Sequence, residues 1–330
     1  MKEVLNYLFT GNSLTKEQAC EILTHIAEGK FTDEEIAAFL TVYRMRTVNA
    51  EELCGFREAL LDLCVKVDFP EFNTIDVVGT GGDGKNTFNI STASCFLIAG
   101  AGYKVTKHGN YGSSSVSGAS NMFEYFGYQF SNDVDKLRRE VDRIGLCFFH
   151  APLFHPAMKN VGPVRRALKV RTLFNIMGPI INPCSPKNQL VGVSDIPTMD
   201  LYNQVFKEGD QSYMLVHTLD GYDEVSLTAE TRYIDNSIED SLSPADFGFS
   251  IIRPNELSAG NSVEDAARIF KNVMNADATE AQMNVVIANA ALGIKCMHPG
   301  KTLSDCVAEA NESLKSKKAR EVFTKLMNAE

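Results

Sequence analysis

Thr74-Ile75-Asp76-Val77-Val78-Gly79-Thr80-Gly81-Gly82-Asp83-Gly84 is the stretch that decides the fold of this chain. Thr74 to Val78 is rich in β-branched residues and predicts a short strand, and the glycines that follow predict a tight turn. Ser91 to Ala99 is an apolar run long enough for a helix, so the unit reads strand, glycine turn, helix. Glycines let backbone N–H groups approach phosphate oxygens without an intervening Cβ, and a helix N-terminus adds a favourable dipole. The letters also satisfy GxGxxG, but a dinucleotide site expects an acid about 20 residues further on. This chain offers Lys104 and Lys107 there. A Walker loop fails as well, because Gly84-Lys85 is followed by Asn86 and not by a hydroxyl residue.

Upstream, Thr15 with Gln18, Thr32 with Glu35 and Asn49 with Glu52 have capping-box spacing and mark three helix starts. Ile36, Phe39, Leu40 and Tyr43 form one apolar helical face. Residues 1–68 therefore read as a small helical domain. Downstream, strand-like runs at Tyr103–Thr106, Leu146–Phe149, Leu190–Val193, Tyr213–Val216 and Glu224–Leu227 alternate with helical patterns that include Val263–Met274 and Thr279–Lys295. Such alternation predicts an α/β domain over residues 69–330 around a central, mainly parallel or mixed sheet.

Composition narrows the function. At 44% hydrophobic and 22% charged residues the chain is ordinary for a globular protein. Its longest apolar stretches fall short of the ~20 residues of a membrane helix, which with the N-terminal Glu3 and Asn6 points to a cytoplasmic protein. The eight cysteines include no CxxC pair and read as reduced, mostly buried thiols. A net charge of −10 argues against a nucleic-acid or anionic-membrane binder. Yet neither Gly84–Phe123 nor Arg143–Ser194 contains a single Asp or Glu, although the chain holds 42 acids. These windows carry Lys85, Lys104, Lys107, Lys159, Arg165, Arg166, Lys169 and Arg171 among others. An acid-free, modestly basic region inside an acidic protein suits a small polyanion.

Within the first window, Asn86-Thr87-Phe88-Asn89-Ile90-Ser91-Thr92 gathers short hydroxyl and amide side chains at a helix start. Lys107-His108-Gly109-Asn110 follows at a strand end, and then Tyr111-Gly112 and a serine-rich turn, Ser113-Ser114-Ser115-Val116-Ser117-Gly118. Strand C-termini are where α/β sheets place ligands, so this turn reads as part of a phosphate cradle.

GTGGD at 79–83, NTFNIST at 86–92, KHGN at 107–110, HPAMK at 155–159, PVRRAL at 163–168, RTLFNIMGP at 171–179 and DE at 223–224 together resemble, in order, the motif series of anthranilate phosphoribosyltransferases. The resemblance spans nearly the whole chain. It implies the fold shared with pyrimidine nucleoside phosphorylases, in which a helical domain, completed by a mid-chain piece at about 170–186, lies beside the larger α/β domain. It also implies a homodimer, two Mg²⁺ ions, and transfer of the phosphoribosyl group of phosphoribosyl pyrophosphate to anthranilate in tryptophan synthesis. On this resemblance Gly79, Gly82, Asp83, Thr87 and the run Asn89, Ile90, Ser91 and Thr92 hold the diphosphate and ribose phosphate, with Lys107 as cationic clamp. The residues from His108 through Gly109, Asn110, Tyr111, Gly112, Ser113, Ser114 and Ser115, with Ala119, complete that cradle. Asn110 and Arg165 hold anthranilate, and Ser91, Asp223 and Glu224 coordinate Mg²⁺. Adjacent carboxylates with a hydroxyl are hard oxygen ligands, which suits that metal.

The chain departs from the family pattern at three places. Tyr111 stands where the family usually has Arg, Ala119-Ser120-Asn121 replaces Ser-Ala-Asp, and Leu219-Asp220-Gly221-Tyr222 lacks the commoner extra glycine. These changes bear on the diphosphate more than on the aromatic acid. Ser113, Ser115, Ser117 and Ser120 offer replacement hydroxyls. Two other readings share the fold: a pyrimidine nucleoside phosphorylase, and a diverged paralogue that binds phosphoribosyl pyrophosphate.

Overall fold

Helix α1 (Lys2–Phe9) opens the chain, and α2 (Lys16–Ala27), α3 (Asp33–Met45) and α4 (Ala50–Asp62) each begin at a capping box. Thr15, Thr32 and Asn49 accept the third helical N–H, while Gln18, Glu35 and Glu52 reach back to the cap, as their spacing predicts. The computed structural model describes residues 1–112 and 115–329, so Ser113 and Ser114 lie outside the described residues.

Glu52 also ties these helices to one another. It is fully buried, and it accepts from the Leu14 N–H (2.9 Å), the Tyr43 hydroxyl (2.9 Å) and Arg46 Nη1 (2.9 Å). Burial alone would raise its carboxyl, but Arg46 and the backbone donors outweigh burial and hold it below the usual range. A depressed carboxyl contributes stability above its unfolded pKa and loses it as pH falls through the folded one. Glu52→Ala should therefore cost ~3–5 kcal/mol near neutral pH, because it strands a partly buried Arg46. Urea unfolding followed by circular dichroism should show that gap at pH 7 and a narrower one at pH 4.

The α/β part starts with β1 (Thr74–Gly79), α5 (Ile90–Gly100), β2 (Lys104–Gly109), α6 (Ala119–Tyr125), α7 (Val134–Arg143) and β3 (Leu146–His150). Two helices, α8 (Ala151–Phe154) and α9 (Met158–Leu168), precede β4 (Asn188–Gly192), α10 (Ile196–Lys207) and β5 (Ser212–Thr218). A hairpin of β6 (Thr231–Asp235) and β7 (Glu239–Leu242) leads to α11 (Val263–Met274), α12 (Glu280–Met297), α13 (Leu303–Lys315) and α14 (Lys318–Met327). Among the described residues the strands form one sheet in the order β3-β2-β1-β4-β5-β6-β7. Pairing is parallel from β3 through β5 and antiparallel beyond.

Alternate strand residues feed two large cores, and Cys147 and Phe149 of β3 a smaller third one. Ile75, Val77, Val105 and Leu190 pack under α5 and α12, whereas Val191, Val193 and Leu215 face α10 and the helical bundle. In α5 every residue but Ser91 is buried, which explains its apolar sequence. Helix α9 packs on α2 and α3, and its Val161 and Val164 are buried there.

Glu224–Leu227 is not a strand, contrary to its pattern. The Val225 N–H donates to Asn289 Oδ1 (3.1 Å) and its carbonyl accepts from Asn289 Nδ2 (2.7 Å), so one amide side chain replaces a neighbouring strand. Leu227 then turns with φ +60°. The β6–β7 hairpin went unread because β7 is polar and exposed or only half-buried, and pairing of β6 with β5 and of β7 with β6, rather than apolar patterning, makes them strands.

Candidate active site

The strand order runs outward in opposite directions from β1 and β4, so the crevice above their carboxyl ends is the topological switch point of the sheet. A cavity of about 570 Å³ lies there. Two glycines paired across these strands, Gly79 and Gly192, make the floor passable. A Cβ on Gly192 would lie 1.6 Å from the Asp223 carbonyl oxygen, and one on Gly79 would lie 2.4 Å from Asp223 Oδ2. Only glycine lets the Asp223-Glu224 loop cross the strand ends.

The glycine turn adopts the backbone its sequence implies, with positive φ at Gly81, Gly82 and Gly84. The Gly81 N–H donates to Asp223 Oδ2 (2.6 Å), and the Lys85 N–H donates to Asp83 Oδ1 (3.0 Å). Arg171 reaches over from beyond α9 and donates to the Gly82 carbonyl at 2.7 Å. A Cβ on Gly82 would strike that guanidinium at 2.4 Å. The Asn86-to-Thr92 cluster serves two purposes. Asn86 and Asn89 clasp the serine turn, through Val116 N–H to Asn86 Oδ1 (3.4 Å) and Asn89 Nδ2 to Ser117 O (3.1 Å). Thr87, Ile90, Ser91 and Thr92 line the cavity at the start of α5.

Carboxylates meet here with little to neutralise them. Burial, then the neighbouring Asp83 charge, pushes Asp223 up to about 7. Glu224 lies well above its usual range, first through burial and then through Asp223. Asp83 Oδ2 and Glu224 Oε1 are buried with no hydrogen-bond partner. Desolvated, mutually repelling carboxylates with free lone pairs fit a divalent cation of hard-oxygen preference. Ser91 lines the same cavity.

Lys107 is buried within β2, and its Nζ donates to the Val77 carbonyl (2.7 Å). His108, Gly109, Asn110, Tyr111, Gly112, Ser115 and Ala119 continue along one side of the cavity. Tyr111 is exposed and gives its hydroxyl to Glu124 Oε1 (3.2 Å). Ser120 does not offer the replacement hydroxyl its position suggested. It is fully buried and shares a 2.8 Å hydrogen bond with His150 Nδ1, facing away from the cavity lining.

The other end of the cavity is less polar. Pro152, Met158, Phe174, Met177 and Pro179 line it, together with His108, His155 and Arg165. His108 Nδ1 faces the Gly178 carbonyl at 3.3 Å, which assigns the proton to Nδ1 and leaves the buried Nε2 without a partner. Burial, and then His155, drives His108 well below its usual range, so it is neutral. The Arg165 guanidinium lies 5.6 Å from the Phe174 ring centre and makes no salt bridge among the described residues.

Apart from Ser120, every described residue given a site role from sequence lines this one cavity. Sequence reasoning gave no role to Arg171, Met158, Phe174, Asn175 and the 177–181 segment, which line or support it. Their signal was the acid-free window Arg143–Ser194, whose residues the fold brings opposite the glycine turn.

Known proteins share this plan. Residues 71–320 match the a/b domain of a glycosyl transferase family, and residues 2–64 match that family's helical bundle domain. The anthranilate phosphoribosyltransferase of Phocaeicola vulgatus is 51% identical over 327 residues, 99% of each chain. That of Cytophaga hutchinsonii is 48% identical over 325 residues, 98% of this chain and 99% of the other. The anthranilate phosphoribosyltransferase structure from Thermus thermophilus superimposes with a TM-score of 0.91 at 26% identity, covering 98% of both chains. The Saccharomyces cerevisiae structure with PRPP and Mg has a TM-score of 0.92 at 24% identity, over 98% of this chain and 96% of that one, a likeness of fold.

Proposed function

The chain belongs to the anthranilate phosphoribosyltransferase family, and from that premise we propose that its cavity joins the amine of anthranilate to C1 of phosphoribosyl pyrophosphate, releasing pyrophosphate. One observation carries the reading. A single cavity has glycine-turn amides and underneutralised carboxylates at one end, and an unpaired guanidinium beside an aromatic ring at the other. That is the polarity needed by a diphosphate sugar and an aromatic acid held in line. Relatives about half identical over the full chain bear the same activity in their names.

At the polar end, Gly79, Gly82, Thr87 and Asn89 to Thr92 receive the phosphates through backbone and hydroxyl donors, with Lys107 supplying charge. Asp223, Glu224 and Ser91 would hold Mg²⁺, with the Asp83 carboxylate beside them. When bound, the metal neutralises the leaving diphosphate. Two ions, a homodimer and a cytoplasmic location belong to the same reading; light scattering tests the dimer, and Mg²⁺ calorimetry counts the ions.

In the reaction the C1–N bond forms as the C1–O bond to pyrophosphate breaks, and the amine then loses a proton. An arylamine is neutral at neutral pH, so its lone pair needs no prior deprotonation. Arg165 and Asn110 orient the aromatic acid, and neutral His108 keeps a positive charge away from the amine and the developing positive ribose. Alignment of the two reactants is the main catalytic device, worth ~7–11 kcal/mol in favourable cases. The test is loss of anthranilate fluorescence with phosphoribosyl pyrophosphate and Mg²⁺. Absence of turnover, or phosphorolysis of thymidine or uridine instead, would overturn the assignment.

Ala119 permits a sharper test. With Ser120 committed to His150, the Ser115 hydroxyl donating to the Ser117 carbonyl (3.2 Å) and the Ser117 hydroxyl to the Gly118 carbonyl (3.4 Å), little hydroxyl compensation remains among the described residues of this rim. Ala119→Ser should tighten phosphoribosyl pyrophosphate by up to about tenfold, equivalent to ~1.4 kcal/mol. The anthranilate KM should hardly move when each substrate is titrated at saturating Mg²⁺.

A further inference from the structure

Residues 176–182 form one side of the less polar end of the cavity, through Met177, Gly178, Pro179 and Ile181. This wall belongs to no strand, and Pro179 has no N–H to donate. Backbone bonds satisfy the Met177 carbonyl, which accepts the Ile180 N–H (3.0 Å). Side chains from four separate elements take the carbonyls of Ile176, Gly178, Pro179 and Ile180. The Tyr202 hydroxyl of α10 donates to the Ile176 carbonyl, and His108 Nδ1 of β2 to that of Gly178 (3.3 Å). Gln189 Nε2 of β4 donates to Pro179 O (3.0 Å), and Arg57 Nε of α4 to Ile180 O (2.9 Å). Just beyond, Asn182 Nδ2 is held by Asp76 Oδ2 (2.9 Å) and the Thr106 carbonyl (2.8 Å).

Three of these donors, Tyr202, Arg57 and Gln189, are absent from the lining of the active-site cavity, and Arg57 and Gln189 line a separate cavity behind the wall. Arg57 crosses from the helical bundle, and Gln189 rises from the centre of the sheet. Burying polar side chains to hold two successive carbonyls is costly unless both bonds are made, so the wall has one well-determined position. We propose that Arg57 and Gln189 are positioning residues for the aromatic acceptor: by pinning the carbonyls of Ile180 and Pro179 they set the distance between the wall and Arg165, and so the size and orientation of ring the cavity accepts. The inference rests on assigning this end of the cavity to anthranilate. Neither residue touches a reactant. Their effect is to be sought in recognition of the acceptor, since the glycine turn and the carboxylates lie at the other end.

The experiment compares wild type with Gln189→Met, Gln189→Asn, Arg57→Met and Arg57→Lys. KM and kcat are measured for each substrate separately, along with relative rates for anthranilates bearing a ring methyl group. Releasing one pin should raise the anthranilate KM by about tenfold and leave that for phosphoribosyl pyrophosphate within about twofold, since sub-ångström misplacement is expensive for one reactant only. Discrimination against the methylated rings should fall. Arg57→Lys, which keeps a donor, should recover part of the loss relative to Arg57→Met. Gln189→Asn keeps the amide but is too short to reach Pro179, and serves where Gln189→Met does not fold. Equal changes in both KM values, or unchanged kinetics in folded variants, would overturn the proposal, as would failure of all four variants to fold. Failure of wild type to consume anthranilate would instead remove the reading on which it rests.

Discussion

Arg165→Ala is expected to raise the KM for anthranilate by roughly ten- to a hundredfold while leaving that for phosphoribosyl pyrophosphate nearly unchanged, the equivalent of ~1.5–3 kcal/mol for one charge-assisted contact. Helix α9 carries the guanidinium, and the buried Val161 and Val164 fix that helix on α2 and α3. Burial lowers the Arg165 pKa, although an arginine stays charged throughout the working range. A charge kept partly out of water, beside the Phe174 ring and without a carboxylate, is stabilised when an aromatic acid arrives. Arg165→Lys should fall in between, because an ammonium cannot make the two parallel bonds of a guanidinium. Fluorescence titration of each substrate provides the measurement. An equal loss for both would place the guanidinium at the phosphates.

Asp223→Asn with Glu224→Gln should have the larger effect on turnover, at least ~100-fold at millimolar Mg²⁺, since metal-borne charge stabilisation is worth several kcal/mol. The double variant carries a second, opposite expectation. Without metal, the native protein keeps buried carboxylates of like charge close together, and burial raises both. Amides of the same shape remove that repulsion, and an asparagine at 223 can still accept the Gly81 N–H. The metal-free variant should therefore melt at a higher temperature than metal-free wild type, and the rise in melting temperature that Mg²⁺ gives wild type should vanish. An unchanged Mg²⁺ titration, or a lower melting temperature with the metal response intact, would sink the metal assignment.

Much of this was legible in the chain itself. The capping boxes at Thr15, Thr32 and Asn49 mark helix starts because their chemistry is local, with partners only three residues apart. The glycine turn after β1 was equally plain, since positive φ at Gly81, Gly82 and Gly84 is a demand on single residues. Two acid-free windows marked two sides of one cavity, to which, among the described residues, only Asp83, Asp223 and Glu224 bring carboxylates.

Sequence alone thus determined most element types, the α/β plan and the charged and hydroxyl residues that line the cavity, all of which follow from local pattern and residue chemistry. Tertiary structure decided the rest. Gly192 has to be glycine because Asp223 crosses it, Asn289 replaces a strand beside Val225, Ser120 turns inward to His150, and Arg57 reaches Ile180 from 123 residues away. None of these partners is near in sequence. Each exists because packing both faces of one twisted sheet brings distant backbone groups into places without water, where every buried carbonyl and amide must find a partner or pay for lacking one.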